Sequence, residues 1–209
     1  MKYVIIGNSA AGIGAVEGIR QTDRNGEIII ITSEPHHTYS RPLISYFLLG
    51  KVKEDNMKYR GENFYKDNNA SLVYGEAVRI DNKNKQVILS DDRRISYDKL
   101  LVAAGSSAFV PPFGGLDSIK CRYNFMTLND AKELNGAIGK SKRVLIIGAG
   151  LIGLKCAEGI MDKVSKITVL DLAPRILSNI LDDGGSKKVQ AYLEDKGLEF
   201  KLGCTIKYF

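Results

Sequence analysis

The sequence predicts an α/β protein with two parallel-sheet units, and three observations predict it. Short apolar runs at residues 4–6 and 143–147 each lead into a glycine-rich turn, at 7–12 and 148–153. After each turn comes a helix-forming stretch and then another apolar run, at residues 27–32 and 166–171. Four consecutive isoleucines, Ile28 to Ile31, form a run with no polar alternation, which reads as a strand buried on both faces of a parallel sheet. Strand, turn, helix and strand make one βαβ unit, a motif of about 30 residues. It occurs twice, at residues 3–34 and 143–171.

Each element has a local reason. The helix over 12–21 starts after the first glycine turn, with Ala11, Ala15 and Ile19 expected near one face. A short helix over 42–49 begins at Arg41-Pro42, since proline is preset for a first helical position. A second short helix is expected over 62–68. Residues 72–89 read as short strands split by Gly75 and by the Asn82-Lys83-Asn84-Lys85 turn, and residues 95–97 and 99–104 add further strands. The run Pro111-Pro112-Phe113-Gly114-Gly115 interrupts the pattern and marks a domain boundary. We therefore expect a first domain at 1–110, a linker at 111–120 and a second domain at 121–209. Beyond the linker, Thr127 caps a helix to about residue 138, with Asp130 placed to complete a capping box. The glycine turn at 148–153 opens a helix to about residue 161, and the strand at 166–171 follows it. A helix over 182–196 and a strand over 198–202 end the chain.

Composition narrows the function classes. A hydrophobic fraction of 44% gives enough apolar surface for a packed core, so disorder is excluded as the main state. The net charge of +6 is spread along the chain without a recognisable nucleic-acid module, so nucleic acid is not an expected partner. The apolar run near the N-terminus is too short for a signal peptide or a membrane span. The odd set Cys121, Cys156 and Cys204, widely spaced and without a CxxC pair, fits a reducing, cytoplasmic compartment. His36 and His37 are adjacent and lack companion ligands, so no metal site is expected.

The glycine turns carry the chemistry. In the second, Gly148 permits the tight turn, Gly150 leaves room for a pyrophosphate, and Gly153 lets the helix pack on the sheet. The N–H groups of the first turn, at Leu151, Ile152 and Gly153, would hold phosphate together with the helix dipole. Asp171 ends the next strand, where a carboxylate can accept the ribose hydroxyls of NADH and would repel the 2'-phosphate of NADPH. NADH is therefore the expected coenzyme and NADPH the less favoured one, with Arg175 nearby as the residue that would suit the phosphate. In the first turn Ser9 replaces the middle glycine, and Gly7, Ser9, Ala10, Ala11 and Gly12 would line a second pyrophosphate. Glu34 takes the ribose-binding part there. Two such sites imply two dinucleotides that exchange a hydride.

Five segments together resemble the two-dinucleotide-domain flavoprotein oxidoreductases, the pyridine nucleotide–disulfide oxidoreductase superfamily. They are the turn 7–12 with Glu34, Tyr39-Ser40-Arg41-Pro42-Leu43-Ile44-Ser45, residues 75–81, residues 97–106 and the turn 148–153. The Tyr-x-Arg-Pro-x-x-Ser segment is most similar to that of NADH:rubredoxin reductases and of the flavin part of assimilatory NAD(P)H nitrite reductases. The resemblance implies two Rossmann-like, three-layer domains of the FAD/NAD(P)-binding type. It implies FAD in the first domain, with Arg41 and Pro42 near the pyrophosphate and flavin. Ala77 or Val78 would meet the adenine, and Ala103, Ala104 and Gly105 would pass close to the cofactor. It implies an FAD-dependent NAD(P)H oxidoreductase that delivers electrons to a small redox protein or to a metal-containing reductase part. The relatives with a redox-active disulfide or catalytic cysteine carry it at positions where this chain has none: residues 36–55 contain no cysteine. Hydride transfer between nicotinamide and flavin needs no side-chain acid or base, so no catalytic residue is named.

The family fold returns to the FAD domain on a strand with a Gly-Asp motif, and a further C-terminal domain usually forms a dimer interface. No such strand follows residue 171. The resemblance therefore implies a truncated chain with an incomplete second domain, and allows a homodimer at full length. The alternative function is a dinucleotide-binding module without catalysis.

Overall fold

The computed structural model describes residues 1–209. In chain order the first elements are β1 (Lys2–Ile6), α1 (Ala10–Thr22), β2 (Glu27–Thr32), α2 (Ile44–Leu48) and α3 (Phe64–Asp67). Next come β3 (Ala70–Tyr74), β4 (Ala77–Asp81), β5 (Gln86–Leu89), β6 (Arg94–Ser96) and β7 (Lys99–Val102). Then follow α4 (Leu128–Ala137), β8 (Arg143–Ile147), α5 (Leu151–Ile160), β9 (Lys166–Asp171), α6 (Asp183–Asp195) and β10 (Leu198–Leu202). No helix is long and apolar enough to cross a membrane.

The chain divides into two compact units, residues 1–40 with 54–106, and residues 41–53 with 107–209. The sequence reading keeps 1–110 together; in the structure the segment 41–53 belongs to the second unit. The reason is packing. The short helix α2 buries Ile44 and Leu48, and Leu48 joins the apolar core of the second unit. Gly159 on α5 permits this approach, since a Cβ there would lie 3.0 Å from a Leu48 methyl. The Lys163 ammonium donates to the Leu48 carbonyl and so satisfies the end of α2.

The first unit is a parallel sheet in the order β3-β2-β1-β7, with an antiparallel meander β4-β5-β6 beside it. Alternate residues of the parallel sheet serve opposite faces. Ile5, Ile28 and Ile30 pack with Ile13 and Val16 of α1 and with Phe64. Val4, Ile6, Ile29 and Ile31 pack with Val87 and Leu89 of the meander. The four isoleucines of β2 are thus shared between two cores, which is why the run lacks polar alternation; each buried one contributes about 1.5–3 kcal/mol. The face of α1 differs in detail from the sequence reading. Gly12, Ile13 and Val16 are its buried residues and Ala15 and Ile19 pack beside them as expected, while Ala11 is exposed.

The second unit repeats the parallel order as β10-β9-β8. Its core gathers Ala157 and Ile160 of α5, Ile167 and Val169 of β9, and Leu134 of α4. The other side of β8 is open, with Leu145 and Ile147 exposed. The helix α4 carries the expected capping box. The Thr127 hydroxyl accepts from the Asp130 N–H at 3.0 Å, and the Asp130 carboxylate accepts from the Thr127 N–H at 2.9 Å. At the chain end, the Phe209 N–H donates to the Gly114 carbonyl at 2.9 Å and the ring of Phe209 meets Phe113 edge-on.

One side chain closes the base of the first unit. Arg20, in the last turn of α1, donates to the carbonyls of Asn68 at 2.7 Å, Asp23 and Gly26 at 2.8 Å each, and Asn69 at 3.2 Å. Hydrogen bonds from a charged donor are each worth about 1.5–3 kcal/mol, although four sharing one guanidinium do not add fully. Arg20→Met keeps the aliphatic stem and is expected to cost about 2–3 kcal/mol in urea unfolding; a loss below about 0.5 kcal/mol would show the clamp to be idle.

Candidate dinucleotide sites

The two glycine turns are built on one plan. In the first, the Gly7 N–H donates to the Ile31 carbonyl at 2.8 Å; in the second, the Gly148 N–H donates to the Leu170 carbonyl at 2.7 Å. Gly7 has φ +116° and Gly148 φ +114°, a backbone conformation that side chains disfavour. A Cβ on Gly12 would lie 2.0 Å from the Gly7 carbonyl oxygen, and one on Gly153 2.0 Å from that of Gly148. In each unit the helix therefore starts directly over its own turn. Gly150, by contrast, faces open space, with no atom within 4 Å of a Cβ placed there. The first and third glycines serve the backbone, and the middle one leaves room for a ligand.

Among the four helices of ten residues or more, capping separates these two from the other pair. The starts of α4 and α6 are closed by side chains, α4 by Thr127 and α6 by Asp182, whose carboxylate accepts the Gly185 N–H at 2.7 Å. Ser9 before α1 and Gly150 before α5 make no side-chain cap. The first-turn N–H groups of Ala10, Ala11, Leu151 and Ile152 thus have no capping acceptor from a side chain, at helix ends that carry partial positive charge. Leu151 and Ile152 are 57% and 55% exposed, so a ligand there meets their backbone beside open apolar side chains.

The acidic partners are placed differently in the two units. Matching the paired hydrogen bonds aligns Ile31 with Leu170, so Thr32 corresponds to Asp171 and Glu34 lies two residues further on. The Asp171 carboxylate accepts from the Ala149 N–H at 2.6 Å and the Ala173 N–H at 2.7 Å. A carboxylate has about four lone-pair sites, so two remain for hydroxyl groups. Glu34 accepts from the Tyr39 hydroxyl at 2.5 Å. Arg175 is engaged within its own segment, donating to the Ser178 carbonyl at 3.1 Å and pairing with Asp183 at 3.2 Å.

The remaining sequence-selected residues divide between the units. Ala103 lies against the first turn: its N–H donates to the Ile6 carbonyl at 2.8 Å, and its own carbonyl would be 2.1 Å from a Cβ on Gly7. Ala104 follows it, and Gly105 turns the chain with φ +73°. Ala77 packs on the meander side of the first unit, and Val78 is left exposed by a bulge in β4. Arg41 and Pro42 belong to the second unit, where Arg41 donates to the Met126 carbonyl at 2.9 Å.

Sequence reasoning missed Asn8 and Tyr65. The Tyr65 hydroxyl donates to Asn8 Oδ1 at 2.8 Å and accepts the Thr38 N–H at 2.9 Å, while Asn8 Nδ2 donates to the His36 carbonyl at 3.3 Å. Asn8 was visible as the one large polar side chain in the first turn. Nothing in the sequence links Tyr65 to it.

The whole chain, residues 1–209, matches the family described as pyridine nucleotide-disulphide oxidoreductase. The chain belongs to this family. It is 36% identical over 203 residues to the assimilatory nitrate reductase electron transfer subunit of Bacillus subtilis (strain 168), covering 96% of this chain and 26% of that protein. It is 31% identical over 208 residues to the rubredoxin-NAD(+) reductase of Pseudomonas putida, covering 99% of this chain and 54% of that protein. Among solved structures it matches a reductase chain from the covalent putidaredoxin reductase–putidaredoxin complex, with TM-score 0.88 and 27% identity, over 100% of this chain and 51% of the other. The chain thus spans about a quarter to a half of the relatives it matches. The family implies FAD and a nicotinamide dinucleotide as bound groups. The two turns fit such groups: each pairs a first glycine at positive φ and a crowded third glycine with a helix start that no side chain caps.

Two predictions follow from this geometry. Gly153→Ala forces a methyl onto the Gly148 carbonyl and is expected to lower Tm by several degrees, about 2 kcal/mol or more. Gly150→Ala meets no atom and is expected to shift Tm by less than about 2 °C, and equal shifts in differential scanning calorimetry would refute the assigned roles. For the cysteines, burial pushes the Cys156 thiol up to about 12, whereas Cys121 and Cys204 are exposed. A raised pKa leaves the thiol protonated until the pH approaches that value. Thiol titration of the folded chain at pH 8 should label Cys121 and Cys204 and spare Cys156, which labels only after unfolding.

Proposed function

We propose that the chain is the dinucleotide-handling portion of an FAD-dependent NADH oxidoreductase that passes electrons to a small redox protein of the rubredoxin type. The observation that carries this reading is the duplication: two glycine turns of one construction, each opening a helix that no side chain caps. One such turn serves a nucleotide; two serve a donor and an acceptor.

FAD is assigned to the first unit. Ser9, Ala10, Ala11 and Gly12 bind its pyrophosphate over the turn begun by Gly7. Glu34 takes the adenosine ribose, Ala77 or Val78 the adenine, and Ala103, Ala104 and Gly105 pass beside the cofactor. NADH is assigned to the second unit, on Gly148, Gly150, Leu151, Ile152 and Gly153, with Asp171 on the ribose. Arg41 and Pro42 are assigned to the flavin and pyrophosphate side. When bound, the two dinucleotides supply the redox chemistry themselves, a hydride passing from nicotinamide C4 to flavin N5. The chain's residues bind and orient, and Asp171 selects against a 2'-phosphate by charge. No side chain serves as acid or base. No thiol relays electrons either: residues 36–55 lack cysteine, and the Cys156 thiol is buried and protonated.

A second reading, the flavin portion of an assimilatory NAD(P)H nitrite reductase, is supported by the likeness to the Bacillus subtilis electron transfer subunit. The acceptor separates the two readings. Electron delivery to purified rubredoxin favours the first, and delivery only to a metal-containing reductase part favours the second.

The direct test is an anaerobic spectrum of the chain after FAD loading, before and after NADH. Flavin absorbance that bleaches with NADH supports both assignments, and a chain that takes up neither dinucleotide refutes them. Asp171→Ala is expected to weaken NADH binding about ten-fold and to narrow the preference over NADPH, because it removes a charged hydrogen-bond acceptor. An unchanged ratio of the two dissociation constants would remove Asp171 from the ribose.

A further inference from the structure

The first turn is held from outside its βαβ unit by side chains, whereas the second is met from outside by backbone, the Leu177 N–H donating to the Ala149 carbonyl at 2.9 Å. In the second, the position after the first glycine is Ala149, whose backbone N–H is taken by Asp171 at the end of the adjoining strand β9. In the first, the same position is Asn8, and its side chain is shared between two other segments. Its Oδ1 accepts from Tyr65, the residue after Phe64 at the start of α3, and its Nδ2 donates to His36 in the segment after β2. Tyr65 also accepts the Thr38 N–H, so one hydroxyl joins α3, the turn and the 36–39 segment. Thr32, the counterpart of Asp171, cannot do this work, since its hydroxyl is occupied by the backbone of Glu34.

The surroundings make this hydroxyl hard to replace by water. The Tyr65 ring packs edge-on against His37, with centroids 4.9 Å apart, and against Phe64 at 5.5 Å. Thr38 is buried, and its Oγ1 and the Nε2 of His37 are enclosed without a protein partner. Burial raises the Tyr65 phenol above its ordinary value despite the opposing hydrogen bonds from Thr38 and to Asn8. The phenol therefore keeps its proton, which is the proton given to Asn8.

We propose that Tyr65 is a positioning residue for the first glycine turn: through Asn8 it fixes the backbone that receives the dinucleotide pyrophosphate and ties it to the 36–39 segment. Tyr65 does not touch the ligand in this assignment. It sets the turn in its binding form before the ligand arrives, so affinity is not spent on ordering the turn. This rests on the reading of the first turn as the FAD site, and the test separates the two.

Amide hydrogen exchange of residues 7–12 is measured in the chain without added nucleotide, with residues 148–153 as the internal reference, and FAD affinity is measured alongside. Tyr65→Phe and Asn8→Ala are each expected to speed exchange in residues 7–12 about ten-fold, the effect of losing partly buried hydrogen bonds. The double variant should be no faster than either single one, because both break one network. Exchange at 148–153 stays unchanged, and FAD affinity falls by a similar factor. Arg20→Met, which loosens the far end of the same helix, lowers Tm without speeding exchange at 7–12. Unchanged exchange at 7–12 in both single variants, or acceleration that is equal in both turns, overturns the proposal. So do additive effects in the double variant. If the wild-type chain takes up no FAD while residues 7–12 still respond, the positioning role stands and the FAD assignment falls. If FAD binds equally well to wild type and both variants, the assignment stands and the positioning role falls.

Discussion

Everything in each unit depends on one backbone crossing, the third glycine of a turn lying against the carbonyl of the first. A Cβ at Gly12 or Gly153 would sit 2.0 Å from that oxygen, well inside any allowed contact. The crossing sets where the helix starts, and therefore where its unpaired N–H groups point. It also fixes the packing of the helix on the sheet, because a Cβ on Gly12 would lie 3.5 Å from the Ile5 side chain and one on Gly153 3.3 Å from that of Ile146. A larger residue there would move the helix start, its uncapped amides and the apolar layer together.

Given that crossing, the sheet has two faces to cover, and the units cover them differently. The first places helices α1 and α3 on one face and the meander on the other, so its strands β1 and β2 are buried on both sides. The second covers one face with its helices and leaves Leu145 and Ile147 of β8 open. The burial patterns record the contrast directly: β2 is buried at every position after its first residue, while β8 alternates. Central parallel strands require burial on both faces, and a strand with one open face shows the alternation usual in half-covered sheets.

Electrostatics then divides the helices by task. Of the four longer helices, α4 and α6 close their N-termini with side chains, Thr127 and Asp182. Those that follow the glycine turns do not, and an anion is what such an end attracts. The net charge of +6 plays no visible part in this, since the basic residues around the turns are engaged locally. Arg60 pairs with Glu17, Lys155 with Glu158, and Arg175 with Asp183.

The sequence by itself determined the two βαβ units, their turns and the strands that flank them, because these depend on neighbours in the chain. Glycine at positions 7, 12, 148 and 153, the isoleucine run and the Thr127–Asp130 cap are local signals with local causes. The placement of Asp171 against its turn was legible for the same reason, since it ends the adjoining strand. Only the tertiary structure decided which unit holds residues 41–53, because Leu48 finds its partner at Gly159, more than a hundred residues away. The same holds for the link from Tyr65 to Asn8 across 57 positions, and for Ala11, which α1 leaves exposed although Ala15 and Ile19 face the core. A hydrogen bond between distant side chains leaves no periodicity, and a helix with several small residues does not declare its inner face. Those choices belong to packing, which selects among arrangements that the local signals permit.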